Sequence, residues 1–182
     1  MKYSRKQLIS QNENVKFLFF WGHRPSKNGQ VTASCFSQWW EQDFTINGTR
    51  YRSAEHWMMA GKAELFNDVE MKEKILASKT PGEAKKWGRK VKGLKSDLWD
   101  NAKYQLVLEG NVAKFRQNPA LKEFLLNTGN QVIVEASPVD PIWGIGLAAS
   151  DEAAQFPERW KGENLLGFVL METRDILRNE TK

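Results

Sequence analysis

The sequence predicts an α+β protein that is mainly helical and contains a small β-sheet. Three observations lead to this class: several segments carry helix-start and helix-stop signals, few segments are strand-like, and one Asn-Gly pair lies between two short strand-like segments. The chain has 182 residues, of which 41% are hydrophobic, so one domain with a core of its own is expected. Residues 1–14 are polar and form an N-terminal extension, either a short helix or a loose tail.

The strand signals are short and local. The predicted strands are residues 16–21, 44–46, 49–51 and 131–135. Asn47 and Gly48 separate the middle two, and this pair tolerates the positive φ angles that a type I′ turn requires. The sequence therefore predicts a hairpin that leads directly into the next helix.

The helix signals are caps and turn residues. The predicted helices are about 54–66, 69–78, 80–90, 97–118, 119–127 and 165–178, with a helical turn near Glu152 in the loop 136–164. Ser53 is the expected cap of the first of these helices. Thr80 and Glu83 form a capping box around Pro81 for the third. Ser96 or Asp97 is the expected cap of the fourth.

Composition limits the function classes. The chain carries 27 basic and 22 acidic residues, a net charge of +5, which suits an anionic ligand without by itself indicating nucleic-acid binding. Cys35 is the single cysteine, so no internal disulfide is expected. The two histidines are far apart in the sequence, so no zinc site is expected, and no cofactor is predicted. The N-terminus lacks the apolar segment of a signal peptide, and we expect a soluble, cytoplasmic protein with no membrane partner.

The segment 51–62 carries the main candidate chemistry. Glu55 falls in the first turn of a helix, where it either compensates the helix dipole or lies in a pocket that tunes it for proton transfer. His56 is a core histidine, a hydrogen-bond partner or a catalytic group. Lys62 lies two helical turns beyond Glu55 on the same face, where it can pair with Glu55, bind phosphate or act as an amine nucleophile. The alternative for Lys62 is an exposed side chain.

A second candidate region is the loop that contains Asp140, Trp143, Gly144 and Gly146. Asp140 precedes a proline, so it serves either turn formation or catalysis. The two glycines lack the remainder of a dinucleotide-binding fingerprint and favour a tight turn with close approach of backbone to a ligand. Two carboxylates beside an aromatic, glycine-containing loop suggest chemistry on a sugar bond.

One basic cluster covers residues 85–95. Arg89 can hold phosphate with two N–H bonds, and Trp87 offers a face for stacking. The alternative is a solvated helix face.

Taken in order, these motifs resemble the NADAR family, named for NAD and ADP-ribose, whose members include the YbiA-like N-glycosidases. The matching segments are 17–22, 36–40, 51–57, 60–62, 87–89, 113–115, 125–129, 134–136, 140–146, 162–167 and 170–174. The resemblance covers residues 15–178, which we expect to be the NADAR domain. Many relatives read Leu-Ser-Asn-Phe where this chain has Phe36-Ser37-Gln38-Trp39, a segment that borders the ligand.

The resemblance implies a hydrolase that cleaves N-glycosidic bonds. Its substrates are ADP-ribose on guanine bases of nucleic acid, or the phosphoribosylamino-pyrimidine intermediates of riboflavin synthesis. We expect Glu55, Asp140 and Lys62 to be catalytic. The expected substrate-binding residues are Gln38, Trp39, His56, Trp87, Arg89, Trp143, Gly144, Gly146 and Asn164.

Two other functions are consistent with the sequence. One is a non-catalytic module that binds NAD or ADP-ribose. The other is a nucleic-acid-binding protein that uses the basic cluster. An acidic pair favours the enzyme, because a phosphate-binding pocket gains nothing from carboxylates.

Overall fold

The computed structural model describes residues 1–11 and 15–180, so residues 12–14 of the predicted extension lie outside the described residues. Its contacts divide the chain into two compact units. The terminal unit contains residues 1–37 and 119–182, and the central unit contains residues 38–118.

Helices dominate both units. In chain order the helices are α1 (Arg5–Ser10), α2 (Ala54–Leu65), α3 (Val69–Ala77), α4 (Pro81–Gly88), α5 (Ser96–Gln117), α6 (Pro119–Asn127) and α7 (Leu165–Asn179), and the strands are β1 (Phe17–Phe20), β2 (Glu41–Ile46), β3 (Thr49–Ser53) and β4 (Val132–Glu135). Short 3₁₀ turns cover Ala33–Phe36, Glu152–Gln155 and Pro157–Arg159. The predicted class, α+β and mainly helical, is confirmed.

Most predicted boundaries agree with the structure within two residues. Strand β2 begins at Glu41, three residues before its predicted start. At the start of α5, Lys95 occupies the cap position and no side chain caps the helix, so the prediction of a Ser96 or Asp97 cap is wrong. The strands form two separate two-stranded sheets, β1 with β4 and β2 with β3.

Of the helices in the described part, none has the length and apolar character needed to cross a bilayer.

In the central unit, the β2–β3 hairpin leads directly into α2. Asn47 and Gly48 have φ angles of 50° and 78°, as the predicted turn requires. Ser53 ends β3, and its Oγ accepts a hydrogen bond from the backbone N–H of His56, 3.3 Å away. One residue therefore ends the hairpin and caps the helix.

Helix α2 is the centre of this unit, because every residue from 54 to 60 is buried. The helices α3, α4 and α5 pack against it at close range. A Cβ at Gly88 of α4 would lie 2.0 Å from the Sδ of Met59, and a Cβ at Gly110 of α5 would lie 2.2 Å from the Cδ1 of Trp57. A side chain at either position would force Met59 or Trp57 to move, or the helices to separate.

In the terminal unit, β1 and β4 pair in parallel, from Phe17 opposite Val132 to Phe20 opposite Glu135. Helix α7 packs on β4. Asn164, at the start of α7, has a left-handed backbone with φ of 56°. Its Oδ1 accepts from the backbone N–H of Glu135 at 3.0 Å, and its Nδ2 donates to the carbonyl of Ile133 at 3.0 Å.

The first residues of the chain pack on the terminal unit. Lys2 and Tyr3 both donate to the carboxylate of Asp175 in α7, and Arg5 donates to the carbonyl of Pro157. Residues 5–10 form α1, so the short-helix alternative for the extension holds over the described residues.

Candidate functional site

Glu55 is a buried carboxylate in the first turn of α2. Only 2% of its surface is exposed, and its backbone N–H donates to the carbonyl of Gln38 at 2.9 Å. The helix N-terminus favours its negative charge. Because burial also strengthens every electrostatic interaction it makes, this placement suits a reacting carboxylate better than a surface one.

Lys62 lies two turns further along α2 and faces the junction with α4 and α5. Its Nζ donates to the carbonyl of Gly88 at 3.0 Å and lies 5.6 Å from the centroid of the Trp99 ring. Burial lowers the pKa of Lys62, and the negative charge of Glu55 acts in the opposite direction. The charge of Glu55 therefore affects the pKa of Lys62, and Lys62 is half-buried rather than exposed.

Gln38 and Asn111 form a buried amide pair beside Glu55. The Nδ2 of Asn111 donates to the Oε1 of Gln38 at 2.9 Å and to the carbonyl of Val107 at 2.9 Å. The Nε2 of Gln38 and the Oδ1 of Asn111 are also buried, and neither meets a hydrogen-bond partner among the described residues. A buried donor without a partner is costly, so it is a feature that a bound ligand would satisfy.

Sequence reasoning missed Asn111 and gave Lys114 no role beyond the family motif. Both are fully buried on α5, and their spacing of three residues places them on the same side of the helix. Lysine is almost never fully buried without a compensating interaction. Lys114 stands between apolar residues in the segment 112–115, as many exposed helical lysines do, so this pattern alone does not predict its burial.

His56 has a structural role. Its Nδ1 lies 2.7 Å from the Oγ of Ser53, and its Nε2 lies 3.1 Å from the carbonyl oxygen of Ser78. Burial lowers the pKa of the imidazole, which favours the neutral ring. Both ring nitrogens are therefore occupied by the protein, which leaves none for a substrate.

The predicted aromatic and phosphate-binding residues of the central unit lie on or beside α4. Trp87 is half-buried, and Arg89 is exposed at the C-terminal cap position of α4. Trp39 is also half-buried, and the Nζ of Lys85 lies 5.6 Å from its ring centroid. Together, these side chains place positively charged groups and aromatic rings on and beside α4.

The loop with the second carboxylate belongs to the terminal unit. The Oδ1 of Asp140 accepts from the backbone N–H groups of Ile142 at 2.9 Å and Trp143 at 2.8 Å. The predicted turn chemistry is therefore present, and it uses only one carboxylate oxygen. Trp143, which follows in the same turn, is half-buried.

The glycines of this loop permit close backbone packing. A Cβ at Gly144 would lie 2.8 Å from the carbonyl oxygen of Glu135, and Gly146 has a φ of 66°. The backbone N–H of Asn164 donates to the carbonyl of Gly144 at 3.1 Å. Because both polar atoms of the Asn164 side chain bind β4, this residue fixes the loop against the strand.

In the described part of the chain, no three His, Cys, Asp or Glu side chains are grouped as metal ligands would be.

Comparison with known proteins identifies the family. The family described as the NADAR domain matches residues 19–178. The chain belongs to the NADAR family. An N-glycosidase of Acanthamoeba polyphaga mimivirus is 46% identical over 169 residues, which cover 90% of this chain and 97% of the viral protein. An N-glycosidase of Nostoc punctiforme is 34% identical over 146 residues, covering 80% of this chain and 86% of that protein.

The fold also has a solved counterpart. The NMR structure of the Escherichia coli protein YbiA superposes with a TM-score of 0.73 at 27% identity, covering 96% of this chain and 92% of that one. The predicted family is therefore confirmed by sequence and by structure. The predicted enzyme class, a hydrolase acting on N-glycosyl bonds, agrees with the names of the NADAR relatives.

Proposed function

We propose that this NADAR protein hydrolyses the C–N bond between a phosphorylated ribose and a nucleobase-like amine. ADP-ribose on guanine bases of nucleic acid and phosphoribosylamino-pyrimidine riboflavin intermediates both contain this bond. The N-glycosidase relatives support the bond type. The observation that carries the proposal is the buried carboxylate of Glu55, which lies two helical turns before Lys62, an amine whose pKa burial lowers.

The reaction passes through a sugar with positive charge at the anomeric carbon. A nearby carboxylate stabilises that charge, and a second can activate water or protonate the departing base. We assign the position nearer the sugar to Glu55, because its burial keeps water from screening its charge. Asp140 of the terminal unit stays a prediction as the second carboxylate, and its turn occupies only Oδ1.

Lys62 has two roles open to it in this scheme. As an ammonium it stabilises the departing base, and as a neutral amine it forms a Schiff base with the opened ribose. The lowered pKa favours the second role, because it raises the neutral fraction at a given pH. Borohydride reduction during turnover would trap a Schiff base on the protein, and Lys62→Arg would abolish that adduct.

The substrate-binding assignments follow from which polar atoms the protein leaves available. We assign the buried Nε2 of Gln38 to a hydroxyl or carbonyl of the substrate. Arg89 is assigned to phosphate. The aromatic and glycine residues assigned to stacking and to backbone contact are Trp39, Trp87, Trp143, Gly144 and Gly146. His56 and Asn164 are left out, because their side chains bind the protein itself.

The central test is Glu55→Gln, with Glu64→Gln as the matched control on the same helix. Glu64 is exposed and pairs with Lys72, so its loss leaves the buried cluster unchanged. We expect Glu55→Gln to lower kcat by about 10²-fold or more, as for other acid–base groups, with an unchanged circular dichroism spectrum. Glu64→Gln should retain full turnover.

Both substrate classes are needed in this test. ADP-ribosylated guanine DNA and phosphoribosylamino-pyrimidine are incubated separately with the protein, and released base and sugar are separated by chromatography. Near-normal turnover by Glu55→Gln would overturn the catalytic assignment. Binding of ADP-ribose by calorimetry without product from either substrate would instead identify a non-catalytic module.

A further inference from the structure

The positive charge of the chain is concentrated in one segment. Residues 74–95 contain eight lysines and arginines and one glutamate, a net charge of +7. The remaining residues contain 19 basic and 21 acidic side chains, a net charge of −2. The whole positive excess of the protein therefore belongs to α4 and the residues that flank it.

The structure gathers part of this charge around one aromatic ring. The Nζ atoms of Lys74 and Lys90 each lie 4.8 Å from the centroid of the Trp87 ring, and that of Lys86 lies 5.7 Å from it. We call this group the Trp87 cluster. An anion at this ring would lie within the Debye length of about 8 Å of all three ammonium groups, so their potentials add there.

Little of this charge is neutralised inside the protein. Lys74 pairs with Glu70 at 2.7 Å, but within the described residues no ion pair joins Lys86, Arg89 or Lys90 to a carboxylate. Lys86 and Lys90 are exposed, and the ring of Trp87 holds their ammonium groups near its surface. The cluster is therefore a positioned source of positive potential.

We propose that the Trp87 cluster binds the phosphate backbone of a nucleic-acid strand. Lysine ammonium groups and an aromatic ring are the combination that binds single-stranded nucleic acid without reading its sequence. An anionic membrane fits less well, because helices that bind a membrane surface present an apolar face to it. Helix α4 buries Pro81, Ala84 and Gly88 inside its own unit instead.

The consequence for the reaction rests on the proposed function. A surface that binds backbone phosphates raises the affinity of the enzyme for a strand. The kcat/KM for a modified base within a strand is therefore higher than for the same base in a free nucleotide. Of the two proposed substrate classes, the cluster favours ADP-ribose on the guanine bases of nucleic acid.

Binding is tested with a fluorescein-labelled, unmodified single-stranded oligodeoxynucleotide, by anisotropy across about 50–200 mM salt. The variant is the double substitution Lys86→Gln and Lys90→Gln. The control is Lys6→Gln and Lys16→Gln, which removes the same charge from exposed lysines of the terminal unit. Each phosphate contact on a single strand contributes about 0.7 to the slope of log K against log salt, so the variant should lose about 1.4 in slope.

The control is expected to keep the wild-type slope. An equal slope in the wild type and the Lys86/Lys90 variant would overturn the proposal, as would an equal loss in the control. Binding to phosphatidylserine vesicles without binding to the oligodeoxynucleotide would also overturn it.

A catalytic comparison separates this proposal from the proposed function. The ratio of kcat/KM on an ADP-ribosylated oligonucleotide to that on ADP-ribosylated guanosine should fall in the Lys86/Lys90 variant alone. If the wild type hydrolyses neither of these two substrates nor the phosphoribosylamino-pyrimidine, the proposed function is contradicted and the binding result stays intact. An unchanged ratio in an active variant would contradict the advantage of a strand over a nucleotide.

Discussion

The contact between α2 and α5 makes Gly110→Ala a direct test of the packing that positions Glu55. A methyl group at this position would lie 2.2 Å from Cδ1 and 2.7 Å from Nε1 of Trp57. Trp57 is buried, and its Nε1 donates to the carbonyl of Leu106 at 2.6 Å. The rigid indole therefore has to move, or α5 has to move away from α2.

The expected loss of stability follows from three contributions. Overpacking costs about 1–3 kcal/mol, and weakening the buried indole hydrogen bond costs about 1 kcal/mol. Replacing glycine by alanine within a helix returns about 1 kcal/mol through backbone entropy. The net loss in the free energy of unfolding is about 1–3 kcal/mol, which lowers the Tm of a chain of this length by about 2–12 °C.

The control is the same substitution in α4. A methyl group at Gly82 would lie 3.6 Å from the ring of Trp39, an ordinary contact, so Gly82→Ala should gain about 0.4–1 kcal/mol. Thermal and urea unfolding followed by circular dichroism measure both variants. A Gly110→Ala protein as stable as the wild type would refute the close packing of α2 and α5, and a loss in Gly82→Ala would refute the reasoning from contact distance.

Two further predictions concern the buried polar groups. In Glu55→Gln the pKa of Lys62 should fall further, because the charge of Glu55 opposes the lowering by burial. The titration is followed by NMR of protein whose lysines carry ¹³C-methyl groups, and the signal lost in Lys62→Arg is that of Lys62. A raised pKa of Lys62 in Glu55→Gln would contradict the effect of the Glu55 charge. Asn111→Ala leaves the buried Oε1 of Gln38 without its donor and should cost about 1–3 kcal/mol in urea unfolding. Asn101→Ala, at an exposed position of the same helix, is the control and should change the free energy of unfolding by no more than about 0.5 kcal/mol. If Asn101→Ala lost as much stability as Asn111→Ala, helix propensity rather than the amide pair would be responsible.

Local chemistry explains which parts of the fold were predictable. Three local features were predicted, and each depends on residues no more than four positions apart. These are the Asn47-Gly48 turn, the Ser53 cap and the Thr80 cap. The interacting residues of each feature therefore stand close together in the sequence. The start of α5 had two good capping residues in the sequence, but the cap position falls on Lys95, one residue before Ser96 and two before Asp97.

The candidate site was predictable only in part. Glu55 and Lys62 share one helix, so their spacing predicts their interaction. Gln38 and Asn111 are 73 positions apart, and nothing in either segment indicates the other. Lys114 is fully buried by residues brought together through folding, whereas its sequence alone is that of any helical lysine.

The side chain of Asn164 also covers the edge of β4 that faces away from β1. Strand β4 pairs with β1 on one side only, and an unpaired edge can template the addition of a strand from another chain. On its other side, the amide of Asn164 occupies the N–H of Glu135 and the carbonyl of Ile133, the groups an incoming strand would need. Together with the backbone N–H of Ile145, which donates to the carbonyl of Glu135, this asparagine occupies the positions that a neighbouring strand would take.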